Sequence, residues 1–85
     1  MTPIVMPQVG QDIEKATIVE WCKREGEPVE ADEIVVVVES EKAAFEVEAE
    51  AAGVLLKIIH QAGEEVEILT PIGYIGRPGE EVPET

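Results

Sequence analysis

Among the 85 residues, Lys42 stands in the most suggestive position for chemistry with another molecule. It lies in the segment Glu-Ser-Glu-Lys-Ala at 39–43, after four consecutive valines at 35–38 and before the alternating residues of 45–50. The amine would project from a turn between two strands, and the small side chain of Ala43 would leave room for an approaching molecule. A lysine in an exposed turn is more often a surface residue with no special role. Its type and position alone therefore do not decide between these interpretations.

The other reactive side chains favour structural roles. His60 has no second histidine or suitably placed nucleophile, which argues against a metal site or a catalytic triad. Cys22 follows Trp21 in an apolar strand, so we expect its thiol to pack in the core. The glutamates at 46, 48 and 50 alternate with apolar residues and are expected to form a solvated strand face, not a pair of catalytic carboxylates. By itself, the chain is not expected to be an enzyme.

Composition and charge exclude several classes of partner. With 45% hydrophobic residues the chain is long enough for one small core, filled mainly by aliphatic side chains. A net charge of −13 argues against binding to nucleic acid or to an anionic membrane surface. It favours proteins with basic patches, or simply keeps a small β-protein soluble. The chain has one cysteine, no apolar stretch of membrane length and no signal segment. We therefore expect a cytoplasmic protein.

The chain contains an internal repeat with a constant offset of 37 residues. Residues 17–39 align with 54–76, and the alignment places Gly26 on Gly63 and Val29 on Val66. Each copy has an apolar strand, a Gly-Glu turn, a short segment with valine and a second apolar strand. Both glycines stand where a turn needs positive φ. Two similar halves predict an all-β domain with quasi-twofold symmetry.

Residues 40–52 are compatible with a helix as well as with a strand when taken alone, because they are rich in Ala, Glu and Lys. The repeat favours a strand that leads from one half to the other, with Phe45, Val47 and Ala49 pointing inward. Residues 6–10 (MPQVG) are expected to form a short strand that ends in a loop. The Pro- and Glu-containing tail predicts a domain over 1–79 and the start of a flexible linker to further domains at 80–85.

The turn at Ser40–Ala43 lacks the Asn-Gly or Asp-Gly pair that two-residue hairpin turns usually recruit. Its residues accept an ordinary type I geometry. The choice of residues is therefore not explained by hairpin formation alone.

Several fragments in order resemble the lipoyl domains at the N-terminus of dihydrolipoamide acyltransferases in 2-oxo acid dehydrogenase complexes. The resemblance runs from about Ile4 to Gly79. The fragments are MPQVG at 6–10, ATIVEW at 16–21, GEPV at 26–29, ESEKA at 39–43, AGV at 52–54 and GEEV at 63–66. Each is weak by itself, but their order, spacing and symmetry together are specific.

The resemblance implies a flattened β-barrel of two four-stranded antiparallel sheets, with lipoate amide-linked to Lys42. It implies a swinging arm that a thiamine-diphosphate-dependent decarboxylase acylates reductively, that the acyltransferase core unloads and that dihydrolipoamide dehydrogenase reoxidises. A lipoate ligase or lipoyl transferase would attach the group. The loop at 9–15 would lie near the hairpin, and the expected recognition residues around Lys42 are Asp12, Glu14, Glu39, Glu41 and Ala43.

This chain departs from the family pattern at two positions. Glu41 replaces the usual aspartate before the lysine and keeps its charge, so we expect the lipoylating enzyme to recognise the hairpin. Ala16 stands where glycine is common, which implies a local backbone difference.

Two alternatives stay open. The related biotinyl domains generally have Met-Lys-Met at the hairpin, which argues against biotin on Lys42. An unmodified acidic module that only binds proteins is the second alternative. The 2-oxo acid is not indicated, and pyruvate, branched-chain and acetoin-type substrates all remain possible.

Overall fold

The computed structural model describes residues 1–82, so the last three residues of the predicted linker, 83–85, lie outside the described part. Eight β-strands account for the regular structure of that part: Thr2–Val5 (β1), Lys15–Trp21 (β2), Pro28–Val29 (β3), Ile34–Glu39 (β4), Ala44–Glu48 (β5), Gly53–Ile58 (β6), Glu65–Glu67 (β7) and Pro71–Gly76 (β8). Within residues 1–82 there is no helix that could cross a membrane.

The strands form two four-stranded antiparallel sheets, as the sequence predicts. The first sheet has the order β1-β8-β6-β3 and the second has the order β5-β4-β2-β7. The core between them is almost entirely aliphatic, and its largest fully buried side chains are Met6, Ile18, Leu55, Ile72, Ile75, Val35, Val36 and Val38. Residues 44–48 form a strand and not a helix, with Phe45 and Val47 packed against this core. That prediction is confirmed.

The quasi-twofold symmetry extends to individual hydrogen bonds. An offset of 37 residues carries β2, β3 and β4 onto β6, β7 and β8. Gly26 donates its N–H to the Leu55 carbonyl, and Gly63 donates to the Ile18 carbonyl, both at 2.7 Å. Both glycines have φ of 93°, a conformation that other residues rarely adopt. Each half therefore closes its turn on a strand of the other half.

A second symmetric pair of left-handed residues is not recognisable from residue type. Asp32 has φ of 68° and Leu69 has φ of 66°, again 37 residues apart. Their N–H groups donate to the carbonyls of Ala49 and Met6 at 2.8 and 2.7 Å. The left-handed conformation costs an L-residue about 1 to 2 kcal/mol, and aspartate tolerates it better than leucine does. The fold imposes this conformation at both positions.

Trp21 links the two sheets. Its indole Nε1 donates to the His60 carbonyl at 2.8 Å. The edge of the ring lies over Gly73, where an added Cβ would stand 2.9 Å from a ring carbon. Trp21 is partly buried and packs against the core.

Two expectations about local structure are wrong. Cys22 is exposed; it directly follows the last residue of β2, and its N–H still donates to the Val35 carbonyl at 2.8 Å. Partial burial, followed by the charges of Glu20 and Glu46, raises the pKa of its thiol. The first strand is Thr2–Val5, and residues 6–10 lie in the loop that follows it. The pairing of β1 with β8 becomes irregular between Ile4 and Val5, just before this loop.

We predict that Gly26→Ala and Gly63→Ala each lower the free energy of unfolding by about 1 to 2 kcal/mol. The loss comes from backbone strain alone, because an added Cβ would meet nothing within 4 Å at either position. Urea denaturation measures both losses, with Ala62→Ser as an exposed control in the same turn. Because the two turns are symmetric, both variants should lose similar amounts of unfolding free energy. A variant with no loss at one of the two glycines would contradict the prediction.

Candidate functional site

The hairpin that carries Lys42 rests on the most deeply buried strand of the second sheet. Val35, Val36 and Val38 of β4 have no exposed surface. β4 pairs with β5 on one side and with β2 on the other, and Glu39 stands opposite both Ala44 and Thr17. Branched side chains packed on both sides of a central strand restrict its motion. The tip at 40–43 is thus mounted on a rigid base.

Ser40 orders the tip through its backbone and its hydroxyl. Its N–H donates to the Ala43 carbonyl at 2.8 Å. Its Oγ accepts from the Lys42 N–H at 3.3 Å and donates to the Ala43 carbonyl at 3.4 Å. None of the tip residues has positive φ, so the turn needs no glycine or asparagine. A serine therefore provides the local stabilisation that an Asn-Gly pair usually provides.

The Lys42 side chain is exposed, and it forms no ion pair within 4 Å among residues 1–82. Its flanking residues Glu41 and Ala43 are exposed as well. Nothing in the described part of the chain therefore restrains the amine or covers it.

An open groove separates the tip from the loop at 9–15. The groove is lined by residues of that loop, of β2, of the hairpin and of β7: Asp12, Ile13, Glu14, Lys15, Ala16, Thr17, Glu39, Ser40, Glu41, Lys42 and Glu65. Four of the five predicted recognition residues, namely Asp12, Glu14, Glu39 and Glu41, thus lie around one groove with Lys42. Ala43 is not among the residues that line the groove.

Sequence reasoning missed Glu65 as a residue of this groove and placed Lys15 near the hairpin only as the end of the loop at 9–15. Glu65 stands opposite Thr17 in the pairing of β2 with β7, and Lys15 stands opposite Glu67. Because this pairing joins residues about 50 positions apart, only the register of the sheet places Glu65 beside the hairpin. The sequence around Glu65 contains no indication of it.

No group of three or more histidine, cysteine or carboxylate side chains that could hold a metal ion occurs in residues 1–82. His60 Nδ1 lies 3.1 Å from Glu64 Oε1. The Gln61 N–H and then His60 lower the pKa of the Glu64 carboxyl. The Glu64 carboxylate caps the surface turn at residues 60–64 by accepting the Gln61 N–H.

Met1 and residues 75–80 lie near the end of β5 that is opposite to the hairpin tip. β5 runs from the tip to residues 49–53, and Ala52 and Gly53 line a cleft together with Met1 and residues 75–80. Glu80 accepts a hydrogen bond from the Arg77 N–H at 3.0 Å and lies 3.4 Å from the Met1 amino group. Ordered contacts therefore reach one residue past the predicted boundary at Gly79, and the position of the linker stays a prediction.

Comparisons with known proteins agree with this geometry. The model of a family described as "Biotin-requiring enzyme", for biotinyl and lipoyl domains, matches residues 2–75. The solution structure of the lipoyl domain of the 2-oxoglutarate dehydrogenase complex from Azotobacter vinelandii superimposes with a TM-score of 0.69. It is 32% identical, and the alignment covers 86% of this chain and 95% of that one.

Two curated relatives are similar over most of this chain. The succinyltransferase component of the 2-oxoglutarate dehydrogenase complex of Rickettsia felis is 39% identical over 72 residues, 85% of this chain and 18% of the relative. The acetyltransferase component of the acetoin cleaving system of Bacillus subtilis is 40% identical over 81 residues, 95% of this chain and 20% of the relative. This chain therefore spans about a fifth of the length of such relatives.

A pair of four-stranded sheets with a lysine at an exposed hairpin defines the class of biotinyl and lipoyl domains, and the chain belongs to that family. Within the family it is a lipoyl domain of the kind found in the acyltransferase component of 2-oxo acid dehydrogenase complexes.

We predict that Ser40→Ala loosens the tip without unfolding the domain. Losing exposed hydrogen bonds of 3.3 and 3.4 Å costs about 0.5 kcal/mol of global stability, whereas the Lys42 amide loses its direct partner. Amide hydrogen exchange should become faster at Lys42 and stay unchanged in β4. Ser40→Thr keeps the hydroxyl and serves as the control. Unchanged exchange at Lys42 in Ser40→Ala would show that the hydroxyl does not order the tip.

Proposed function

We propose that Lys42 is the lipoylated residue and that the domain is a swinging-arm carrier of acyl groups and electrons in a 2-oxo acid dehydrogenase complex. The observation that carries the proposal is the placement of Lys42. In a chain of the lipoyl family, it is an exposed and unpaired lysine at the tip of a rigid hairpin.

The other lysines are poorer attachment sites. Lys23 forms an ion pair with Glu33 at 2.8 Å, and this hydrogen bond raises the pKa of the Lys23 amine. Lys15 and Lys57 belong to β2 and β6, where each is paired with a residue of one neighbouring strand, Glu67 and Tyr74. An enzyme that must enclose a lysine in its active site can reach a hairpin tip from several sides. Lys42 is the lysine that meets this requirement.

The residues around Lys42 fit a long amide-linked arm. The Lys42 amine is exposed, and no ion pair within residues 1–82 has to be broken before it reacts. The small side chain of Ala43 beside it allows close approach of the attaching enzyme. When bound, lipoate supplies a dithiolane that accepts an acyl group and two electrons and passes both on. The protein's part is to hold the attachment point still while the arm moves.

A tethered domain raises the rate of such transfers without making or breaking bonds itself. Tethering replaces encounters in free solution by an effective concentration on the order of mM for a short flexible linker. Residues 75–80 lie near the end of β5 that is opposite to the tip, so a linker that follows them would let the domain present Lys42 outward. In this proposal the partners are a thiamine-diphosphate-dependent decarboxylase, an acyltransferase core and dihydrolipoamide dehydrogenase.

The acidic groove around Lys42 is the proposed docking face for the decarboxylase. Asp12 and Glu14 stand on the loop and Glu39 and Glu41 on the hairpin, and all four carboxylates are exposed. Complementary charge speeds the encounter of two proteins and sets the side on which they meet. A decarboxylase with basic residues around the mouth of its active site would be steered towards the end of the domain that carries the arm.

Biotin on Lys42 is the second candidate, because the matching family includes biotinyl domains. The relatives that we describe are components of 2-oxo acid dehydrogenase and acetoin-cleaving systems, and the flanks of Lys42 are Glu41 and Ala43 in place of methionines. Both observations favour lipoate. An unmodified protein-binding module would leave the exposed lysine hairpin without a role.

We predict that a lipoate ligase with ATP and lipoic acid adds one lipoyl unit to the chain and none to Lys42→Arg. The arginine keeps the charge and the length of the side chain but has no acylable amine. Intact-mass measurement gives the result directly. If the lipoate ligase added no lipoyl unit to the wild-type chain and a biotin ligase added one biotin, the biotinyl alternative would replace the proposal. No addition by either enzyme would favour the unmodified module.

A second prediction concerns the docking face. Reversing the charges of Asp12, Glu14, Glu39 and Glu41 to lysine should lower the rate of reductive acylation by the protein's own decarboxylase about tenfold or more at low salt. High salt should shrink the difference, because it screens exposed charges. The matched control reverses four exposed glutamates outside the groove, Glu20, Glu46, Glu48 and Glu50. Equal rates for the two quadruple variants would contradict a localised docking face.

A further inference from the structure

Leu69 combines two unfavourable features. Its φ of 66° belongs to the left-handed region that leucine rarely adopts. Its side chain is also 65% exposed, the largest exposure among the large hydrophobic residues of the described chain. A leucine gains nothing from either feature in the isolated domain.

The symmetry of the fold shows that the backbone does not require a leucine there. Asp32 occupies the equivalent position with nearly the same φ, and its N–H makes the equivalent hydrogen bond. A short polar residue thus satisfies the same local geometry in the other half. Strained residues that the local structure does not need are often retained for an interaction. The role of Leu69 must therefore lie in the exposed side chain itself.

Leu69 lies at the end of the domain that carries Lys42. Glu67 stands opposite Lys15, which lines the groove, and the next residue, Ile68, donates its N–H to the Glu14 carbonyl at 2.9 Å. Leu69 follows and donates to the Met6 carbonyl. The loop at 9–15 is thus bordered by the hairpin on one side and by residues 67–69 on the other.

A second exposed apolar residue belongs to the segment whose backbone is hydrogen-bonded to Leu69. Val5 is 37% exposed at the end of β1 and stands opposite Pro71 at the start of β8. The hydrogen bond between Leu69 and the Met6 carbonyl joins the two segments at 2.7 Å. We call Val5 and Leu69 the apolar corner. Large hydrophobic residues exposed together are typical of contact sites.

The surroundings of the apolar corner define the chemistry of its partner. The same end of the domain carries exposed carboxylates, among them those of Glu14, Glu65 and Glu67. An apolar centre with a charged rim is the usual anatomy of a transient protein interface. The complementary surface is an apolar pocket with a rim of lysine and arginine, which excludes a lipid surface of negative charge.

We propose that the apolar corner inserts into an apolar pocket beside the active-site mouth of the 2-oxo acid decarboxylase and fixes the orientation in which the domain docks. The proposal rests on the proposed function, and it adds a specificity-determining contact outside the groove around Lys42. The acidic residues bring the domain to the enzyme, and the apolar corner holds it while the arm is inserted. The lipoylating enzyme, which must enclose only the hairpin tip, does not need this contact.

The test compares Leu69→Gly with the wild type in two assays. Both chains are first lipoylated at Lys42, and reductive acylation by the protein's own decarboxylase is then measured. Leu69→Gly should raise the KM for the lipoylated domain about tenfold and leave kcat unchanged, as truncation of a central contact residue does. The lipoylation rate should not change. The unfolding midpoint should not fall, because glycine removes the strain at φ 66°.

A matched pair of conservative variants separates the apolar corner from exposed apolar residues in general. Val5→Thr should raise the KM about threefold, whereas the same change at Val19, which is 43% exposed on the β2 bulge, should leave it unchanged. An unchanged KM in Leu69→Gly would overturn the inference, and so would equal effects of the two threonine variants. A wild-type chain that takes up no lipoyl group would instead overturn the proposed function.

Discussion

The burial of β4 is the constraint on which the rest of the structure depends. Its valines fill the centre of the core, and its two neighbours in the sheet are β2, which supports the loop at 9–15, and β5, which returns from the tip. Because core side chains pack at the density of an organic crystal, a strand of this kind cannot move without displacing its neighbours. The tip, the loop and the groove between them are thereby fixed relative to one another, while the side chain of Lys42 stays free.

The two sheets have similar backbones but carry different charged side chains. The strands of the second sheet carry six glutamates and Lys15, whereas those of the first sheet carry Lys57 as their charged residue. A pseudo-symmetric scaffold has two geometrically similar ends, and side chains must decide which one a partner addresses. In our account the acids of the groove and the apolar corner make that decision for the end with Lys42.

The sequence was sufficient for the features that repeat. The offset of 37 residues located both glycine turns, and it resolved 44–48 as a strand although helix formers are abundant there. Features that depend on the pairing register of the strands could not be predicted from the sequence. Glu65 reaches the groove only because β7 pairs with β2, and Leu69 adopts positive φ only because the fold demands it. Cys22 was misplaced because its apolar neighbour Trp21 suggested burial for both, whereas only Trp21 packs against the core.

The most direct test of the account is a residue-level map of the modification in the protein isolated from its source cells, grown with lipoic acid available. Digestion and fragment-mass analysis would assign any group to a particular lysine. The account predicts lipoyl on Lys42 and none on Lys15, Lys23 or Lys57. Lipoyl on one of those three lysines, or biotin on Lys42, would contradict it.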